Sequence, residues 1–311
     1  MNDIRFDGRV AVITGAATGL GREYALLLAA RGARVVVNDV GSPDPLLGAG
    51  TAAGPAAAVV EEIVANGGQA IADTHSVASS EGGRKLIDTA LAAWGSVDIV
   101  INNAGIIGPV DVSFSDLTDA QLDAVFAVQL LGPFNVLRPA WAQMVKQGYG
   151  RVLNISSASV FGQGEACPYP AAKGAMIAMT KNLGMTGPAH GIKVNALMPL
   201  GFTRMVENLP EPARSWIRNT FPAAKVAPAA AFLVSEEVPC SGECFSAGGG
   251  RLARVFLGEC FGASNAEFSA EFARDHFADV LDVSNYRIPA NTMDELMLYA
   301  ELLAAAPADL S

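Results

Sequence analysis

Short runs of apolar, mostly β-branched residues alternate along this chain with longer segments in which apolar residues recur every three or four positions. The short runs predict strands, at Val10–Thr14, Arg34–Asn38, Ile99–Ile101, Arg151–Ile155 and Lys193–Ala196. The longer segments predict helices, for example at Leu20–Arg31, Ala56–Ala65, Glu81–Trp94, Thr118–Val145 and Ala171–Leu183. Because strands this apolar need cover on both faces, the pattern predicts the α/β class with a doubly wound parallel sheet.

Two stretches interrupt this alternation. Val40–Gly54 follows the second strand, is rich in Gly, Pro and Ala, and either shapes a ligand pocket or forms a disordered surface loop. After about Ala263 the pattern becomes helical, and a capping box of Thr292 and Glu295 is expected to open the last helix. We therefore expect one domain over residues 1–264 and a C-terminal helical extension over residues 265–311.

The composition narrows the class of protein. Of 311 residues, 51% are hydrophobic and 17% are charged, which is typical of a globular protein with a sizeable core. No uninterrupted apolar run approaches the roughly 20 residues of a spanning helix, so no membrane insertion is expected. Asp3, Arg5, Asp7 and Arg9 break up the start of the chain, which argues against a signal peptide. The four cysteines then suit reduced thiols and a cytoplasmic location.

The net charge of −10 is concentrated near the C-terminus, where residues 265–311 hold nine acidic and two basic side chains. We interpret this acidic segment as a solvated helical surface. The chain contains no basic run or stripe, which argues against nucleic acid or an anionic membrane as a partner. His190 and His276 have no sequence partners, and Cys240 with Cys244 are too few for zinc, so no metal site is predicted.

A glycine-rich segment links the first strand to the first helix. Gly15, Gly19 and Gly21 allow a tight turn and a close backbone approach to an anion, although purely structural turns use glycine too. Asp39 ends the second strand, where a carboxylate would accept both ribose hydroxyls of NAD and repel the 2′-phosphate of NADP. The alternative is that Asp39 merely starts a turn. Since Thr18 occupies the loop position where a basic residue often meets that phosphate, the pattern favours NAD.

Tyr169 and Lys173 lie one helical turn apart on the same face. Lowering the pKa of a phenol by about 3 units needs roughly 4 kcal/mol, which an ammonium about 4 Å away supplies at an effective dielectric near 20. The segment Asn154–Ser159 follows a strand end, where such sheets bind ligands. A serine there can hydrogen-bond a substrate oxygen while Tyr169 exchanges its proton. Without these neighbours, an exposed Tyr and Lys on a helix would be the simpler interpretation.

Taken together, these motifs resemble those of the short-chain dehydrogenases/reductases. The matching pieces, which cover about Asp7 to Gly250, are Thr14–Gly21, Asn102–Gly105, Asn154–Ser159, Tyr169 with Lys173, and Asn195 with Pro199. Within that family the chain is similar to the (3R)-hydroxyacyl-CoA dehydrogenase part of the peroxisomal multifunctional enzymes of type 2. Residues 35–41, 59–63 and 149–151 carry this closer similarity.

The resemblance implies a Rossmann fold and an NAD-dependent enzyme that interconverts a secondary alcohol and a ketone by hydride transfer. It implies catalysis by Ser157, Tyr169 and Lys173. It implies cofactor binding by Gly15, Thr18, Gly19, Leu20, Gly21, Asp39, Val77, Asn103, Ala104, Gly105, Tyr169, Lys173 and Pro199. Tyr169 would be the acid/base, and Lys173 would lower its pKa while binding the nicotinamide ribose.

The resemblance also implies a substrate and an assembly. The substrate would be a 3-hydroxyacyl thioester, with a steroid or another bulky secondary alcohol as the alternative and a non-catalytic NAD-binding regulator as a further one. Five arginines are available to bind an acyl-CoA, namely Arg204, Arg214, Arg218, Arg251 and Arg254. The protein would be a homodimer or homotetramer, with the C-terminal extension closing the partner's active site.

Four positions leave the family pattern open or depart from it. Counting from Asn154 selects Ser157 as the catalytic serine, whereas the family's usual spacing back from Tyr169 selects Ser156. We expect Ser157, because a loop absorbs a deletion more easily than a strand end does. Gln129 replaces the family's catalytic asparagine, and its longer amide could anchor a proton-relay water. His75 stands where an aspartate often contacts adenine, so Val77 backbone groups would make that contact.

Overall fold

Eight strands form one sheet in the computed structural model, which describes residues 3–41, 54–109, 111–164, 167–203 and 210–303. The strands are β1 (Val10–Thr14), β2 (Arg34–Asn38), β3 (Gln69–Asp73), β4 (Ile99–Asn102), β5 (Gly150–Ile155), β6 (Ile192–Pro199), β7 (Cys244–Gly248) and β8 (Arg251–Val255). Their order is β3-β2-β1-β4-β5-β6-β7-β8, and every pairing from β3 to β7 is parallel. The predicted doubly wound parallel sheet is confirmed.

The chain divides into two units, Met1–Arg254 and Val255–Ser311. The helices of the first unit are α1 (Gly19–Ala30), α2 (Gly54–Ala65), α3 (Ser80–Trp94), α4 (Asp119–Phe126), α5 (Gly132–Gln147), α6 (Pro168–Thr186), α7 (Ala213–Thr220) and α8 (Ala227–Leu233). The boundary expected between residues 264 and 265 falls inside the second unit and stays a prediction.

Alternating side chains of the strands build a core on each face of the sheet. Ile13 and Val35 belong to one buried cluster, which includes residues of α1, α2 and α8. Their neighbours Val12 and Val36 belong to the other, which includes residues of α3, α5 and α6. Because successive residues of a strand point to opposite faces, an unbroken apolar run fills both cores at once.

The strand order reverses at β1, with β2 and β3 on one side and β4 to β7 on the other. In doubly wound sheets, a crevice opens at such a point beyond the carboxyl ends of the strands. The glycine turn that follows β1 and the Asn103–Gly105 segment that follows β4 both lie there. The fold thus brings the predicted cofactor motifs to one edge.

Three strands were not expected from the sequence. β3 contains only one β-branched residue, and it depends on its pairing with β2, in which Val36 lies opposite Ile71. β7 and β8 are separated only by Gly249 and Gly250, and neither has the β-branched character of the central strands. Tertiary pairing rather than local propensity therefore makes these segments strands.

The long helical pattern predicted over Thr118–Val145 is a helix from Asp119 to Gln147, in which a π-helical turn (Ala127–Leu131) joins α4 to α5. By length and composition alone, this helix could cross a membrane. However, helix α5 packs against α3, β4 and β5, and core helices pass the same test. The composition of this helix is therefore weak support for a membrane span.

The second unit is largely helical, as predicted, but also contains an antiparallel ribbon of β9 (Glu259–Cys260) and β10 (Tyr286–Arg287). Its helices are α9 (Ala270–Asp275), α10 (Phe277–Val280) and α11 (Thr292–Leu303). Helices α9 and α10 are separated only by His276. Helix α11 is capped by Asn291, whose Oδ1 accepts a hydrogen bond from the Asp294 N–H at 3.0 Å, and not by the predicted Thr292.

Candidate active site

The turn after β1 leaves no room for side chains at its glycines. Gly15 and Gly19 have positive φ angles of 62° and 55°. A Cβ on Gly15 would lie 2.8 Å from Ala104 Cα, and one on Gly21 would strike the Gly15 carbonyl oxygen. Helix α1 starts at Gly19, and the first N–H groups of a helix, here those of Gly19 and Leu20, have no partner within it. The turn can therefore bind an anion such as a pyrophosphate.

Asp39 lies beside this turn, at the carboxyl end of β2. Its Oδ2 accepts a hydrogen bond from the Ala17 N–H at 3.3 Å, and its Oδ1 accepts one from the Gly41 N–H at 2.9 Å. These two bonds hold the carboxylate against the glycine turn. Thr18 is exposed and precedes α1 without capping it. The predicted pocket segment Val40–Gly54 lies mostly outside the described residues, which omit 42–53.

The segment after β4 is tied to the glycine turn by hydrogen bonds. Thr14 Oγ1 accepts from the N–H groups of Asn103 and Ala104, at 3.0 and 2.9 Å. Asn103 Nδ2 in turn donates to the carbonyl oxygens of Thr14 and Gly15, at 2.9 and 3.0 Å. Asn103, Ala104 and the glycine turn are therefore held as one unit. The sequence analysis includes Thr14 in the glycine motif but assigns no role to this polar residue, which ends an otherwise apolar strand.

Gln129 lies in the π-helical turn and is only 1% exposed. Its Nε2 donates to the Ile106 carbonyl at 2.6 Å, and a Cβ on Gly105 would come 2.6 Å from the same nitrogen. In the part of the chain that the structure describes, Gln129 Oε1 has no hydrogen-bond partner. The amide thus fixes the segment after β4 through its nitrogen and leaves a buried acceptor at its oxygen.

His75 and Val77 follow β3, on the side of the sheet where an adenosine would bind. His75 Nδ1 lies 2.9 Å from Oδ2 of the buried Asp73, and the Val77 carbonyl accepts from Asn135 Nδ2 at 2.9 Å. Val77 is buried, so it can offer only backbone groups to a ligand. These contacts fix the direction of the chain past the carboxyl end of β3.

Pro199 ends β6, and the chain then passes over the glycine turn. Gly201 packs against Leu20, and Thr203 Cγ2 would be 3.2 Å from a Cβ on Gly19. Thr203 thus lies at the start of α1, within the predicted pyrophosphate site. Sequence reasoning did not select Thr203, although a hydroxyl residue shortly after Pro199 was a signal for it.

Helix α6 holds Tyr169 and Lys173 on one buried face, with exposed fractions of 9% and 4%. Lys173 Nζ donates to the Ile155 carbonyl at 2.8 Å and lies 5.6 Å from the centre of the Tyr169 ring. The lysine is therefore fixed between the end of β5 and the phenol.

The two candidate serines have different surroundings. Ser157 Oγ accepts a hydrogen bond from the Ser159 N–H at 3.1 Å, and the serine is close enough to the Tyr169 phenol to lower its pKa. Ser156 is 2% exposed, and its Oγ donates to the Lys173 carbonyl at 2.8 Å. Ser157 thus faces the phenol, whereas the Ser156 hydroxyl is used to hold α6 against β5.

Burial changes the pKa values of both ionisable groups. It raises the pKa of the Tyr169 phenol, and the hydrogen bond from Ser157 opposes that change without cancelling it. Burial lowers the pKa of Lys173 to about 7. The sequence analysis predicts that Lys173 lowers the pKa of Tyr169. In the structure, desolvation of the buried phenol outweighs the contact that lowers its pKa. Near neutral pH, Lys173 in the folded protein is therefore divided between its charged and neutral forms.

This edge of the sheet thus combines a glycine turn that can bind an anion, a carboxylate beside that turn, and a serine and a tyrosine next to a buried lysine. Such an arrangement can hold a dinucleotide and move a proton to or from an oxygen next to it. The geometry brings together the predicted residues from β1, β2, β4, β5 and α6.

Comparison with known proteins gives a family match and extensive similarity. A family model described as short chain dehydrogenase matches residues 9–213. The chain is 38% identical over 306 residues to peroxisomal multifunctional enzyme type 2 of Mus musculus, covering 96% of this chain but 40% of that protein. It is 39% identical over 285 residues to a putative short-chain type dehydrogenase/reductase of Mycobacterium tuberculosis, covering 90% of this chain and 96% of that protein.

Solved structures are similar as well. A short chain dehydrogenase from Mycobacterium avium superposes with a TM-score of 0.75 at 32% identity, over 90% of this chain and 96% of that one. A 7α-hydroxysteroid dehydrogenase, in complex with NADH and 7-oxo glycochenodeoxycholic acid, gives a TM-score of 0.71 at 29% identity, over 80% of this chain and 98% of that one.

Proposed function

This chain belongs to the short-chain dehydrogenase family, and on that premise we propose that it is an NAD-dependent enzyme acting on a 3-hydroxyacyl thioester. The resemblance to the family is confirmed, and the protein is an oxidoreductase on CH–OH donors. The observation that carries the proposal is the buried pair of Tyr169 and Lys173 on one face of α6, with Lys173 Nζ 5.6 Å from the centre of the Tyr169 ring. Thioester chemistry is supported by the similarity to the multifunctional enzyme, of which this chain spans less than half.

The residues fit a dinucleotide, because the turn at Gly15 and Gly21 has no side chains and has no space for a Cβ at either position. The backbone can therefore approach the ligand closely. Gly19, Leu20 and Thr203 would hold the pyrophosphate, Asp39 the adenosine ribose and Lys173 the nicotinamide ribose. When bound, the nicotinamide supplies the hydride acceptor or donor.

The chain's own part in the reaction is to hold an oxygen and move its proton. Ser157 Oγ donates a hydrogen bond to the substrate oxygen. In the oxidative direction, Tyr169 as phenolate takes the hydroxyl proton while the carbon gives up its hydride, and the alcohol becomes a ketone. A protonated Lys173, 5.6 Å from the ring, favours the phenolate by about 3 kcal/mol at an effective dielectric near 20. Gln129 Oε1 would accept from a water that returns the proton to solvent.

Ser157→Ala should lower kcat by about a hundredfold, because it removes the donor to the developing charge on the substrate oxygen. Ser156→Ala should retain most of the activity, since its hydroxyl contacts only the Lys173 carbonyl in the described structure. Steady-state kinetics of both variants, with melting curves to verify folding, test this assignment. Activity lost in Ser156→Ala and retained in Ser157→Ala would reverse the two roles.

Asp39→Ser should raise the KM for NAD about tenfold and improve the use of NADP, because it removes a charged acceptor and a repulsive carboxylate. Asp39→Asn serves as a control that keeps a side chain able to accept from Gly41 and Ala17 while removing the charge. Kinetics with both cofactors give the preference directly. If the ratio of NADP to NAD use is unchanged in both variants, Asp39 does not select the cofactor.

The experiment that tests the proposed function is NADH fluorescence during oxidation of (3R)- and (3S)-hydroxyacyl-CoAs, steroid alcohols and simple secondary alcohols, each with NAD or NADP. Turnover of an (R)-thioester with NAD supports the proposal. The similarity to the 7α-hydroxysteroid dehydrogenase favours a bulky secondary alcohol as the second candidate. Turnover of steroid alcohols alone would establish that alternative. NAD binding without turnover of any substrate would support a non-catalytic NAD-binding regulator.

A homodimer or homotetramer and a cytoplasmic location remain predictions. Two of the similar proteins are named as peroxisomal, but their names describe the location of those proteins and not of this chain.

A further inference from the structure

The five arginines considered for binding an acyl-CoA have different partners in the structure. Arg214 pairs with Glu211 and Arg254 pairs with Glu243, so their charges are already balanced by carboxylates. Arg204 lies outside the described residues. Within the described ranges, Arg218 and Arg251 have no carboxylate within ion-pair distance. Their charges are therefore available to an anion that the protein does not itself supply.

Arg218 lies on α7, and its guanidinium carbon is 4.8 Å from the centre of the Phe202 ring. Phe202 is itself held in place, because its N–H donates to the Phe221 carbonyl at 2.6 Å. A guanidinium stacked on an aromatic ring keeps its N–H groups free at the edges. Arg218 is thus pre-positioned while it remains exposed.

Arg251 lies on β8, close in the chain to residues that pack on Phe221. It follows the Gly249–Gly250 turn, and its Nη1 donates to Ser246 Oγ at 3.1 Å. The turn packs on the end of α7, since a Cβ on Gly249 would lie 3.0 Å from Phe221 Cε1. Both arginines are therefore anchored by neutral contacts around Phe221.

This cluster lies at the edge of the sheet that contains the site. The Ser156 N–H donates to the Leu197 carbonyl at 2.8 Å, so β6 emerges beside the candidate serines. Phe202 is five residues beyond Leu197, a span of at most about 17 Å of extended chain. A group tethered to the reacting carbon by a flexible arm can reach this distance.

We propose that Arg218 and Arg251 form a binding site for the phosphate groups of the thioester's coenzyme A moiety, with the pantetheine arm running from the cluster to Tyr169. This proposal rests on the proposed function, because it assumes a thioester substrate. Guanidinium groups bind phosphates in a forked, bidentate geometry, and two of them suit a ligand with several phosphates.

The test compares a phosphate-bearing substrate with one that lacks phosphate. With wild-type protein, Arg218→Ala, Arg251→Ala and the double variant, KM and kcat are measured for a 3-hydroxyacyl-CoA and for the matching N-acetylcysteamine thioester. The KM for the CoA substrate should rise about fivefold in each single variant and about 25-fold in the double variant, with kcat unchanged. The KM for the neutral thioester should not change.

Two controls separate the phosphate site from other roles. Arg214 lies on the same helix as Arg218 but already pairs with Glu211. Arg214→Ala should therefore leave both KM values unchanged. Added salt should raise the KM of the wild type for the CoA substrate more than that of the double variant, because ions screen exposed charges.

Each remaining outcome overturns the inference. Equal KM changes for both thioesters would mean that the arginines shape the site rather than bind phosphate. A weaker NAD affinity in the variants, with an unchanged KM for the CoA substrate, would assign them to the cofactor. Turnover of both thioesters with no KM change would refute this site but leave the proposed function intact. If the wild type turns over neither thioester, the proposed function fails together with the inference.

Discussion

Tyr169→Phe is expected to lower kcat by about a thousandfold, the typical contribution of a well-placed general acid or base. The substitution removes only the hydroxyl that meets Ser157, and the ring keeps its place on the buried face of α6. NAD affinity should therefore stay within about twofold of the wild-type value, since a single neutral hydrogen bond contributes little. A catalytic defect without a binding defect is the signature expected of a residue that moves a proton.

The measurement is steady-state turnover together with an NAD titration of the free protein. Tyr149→Phe is the control, because Tyr149 precedes β5 at the opposite edge of the sheet, stacked against the guanidinium groups of Arg9 and Arg151. The control should keep normal turnover. If Tyr169→Phe retains most of its activity, the tyrosine is not the acid/base and the proton takes another route.

Lys173→Met is expected to change both activity and the pH dependence of stability. Turnover should fall by about a hundredfold and its optimum should move to higher pH, because the ammonium no longer favours the phenolate of Tyr169, whose pKa burial already raises. The effect on stability follows from the buried ammonium. Burial lowers the pKa of Lys173 from 10.5 to about 7 in the folded protein.

The sign follows from proton binding. Between pH 7 and 10.5 the unfolded chain holds a proton on Lys173 that the folded chain has released, so the stability of the wild type rises with pH across this window. Below pH 7 both states are protonated, and the full cost of burying the charge is present. Lys173→Met has no such dependence, so the free energy of unfolding of the wild type should gain about 3 kcal/mol relative to the variant between pH 7 and 10.

Urea denaturation of both proteins at pH 7, 8, 9 and 10 gives this difference directly, and other titrating groups cancel in the comparison. The variant also loses the hydrogen bond to the Ile155 carbonyl, which shifts its stability by a constant amount at every pH. Parallel stability curves for the two proteins would show that Lys173 keeps an ordinary pKa in the folded state.

The sequence predicts the fold where local pattern and tertiary structure agree. The runs at Val10–Thr14 and Arg34–Asn38 are strands with these same bounds, because β-branched residues there fill both cores. β3 and β7 were missed because their residues become strands only by pairing with β2 and β6. The cap of α11 was misplaced by one residue, since Asn291 and Thr292 are both suitable caps and only the backbone geometry chooses between them.

In the candidate site, too, some features follow from local sequence pattern and others depend on tertiary structure. Spacing could identify Tyr169 and Lys173, because a helix fixes which residues share a face. Spacing could not choose between Ser156 and Ser157, since successive residues at a strand end point in opposite directions and the following loop has no fixed length. The pKa of Tyr169 was not predictable either, because desolvation depends on how completely α6 is covered. The hydroxyl of Thr203 after Pro199 was a sequence signal, but only the fold shows that this residue lies against Gly19 at the start of α1.

The hydrogen bonds that tie Asn103 and Thr14 to the glycine turn are complete in the protein alone. The segment after β4 and the glycine turn are therefore already held together before a dinucleotide binds. Little of the binding free energy is then needed to order the protein. Association should then approach the rate set by diffusion and orientation. In repeated turnover, the exchange of used for fresh cofactor would then depend mainly on how quickly the used cofactor dissociates.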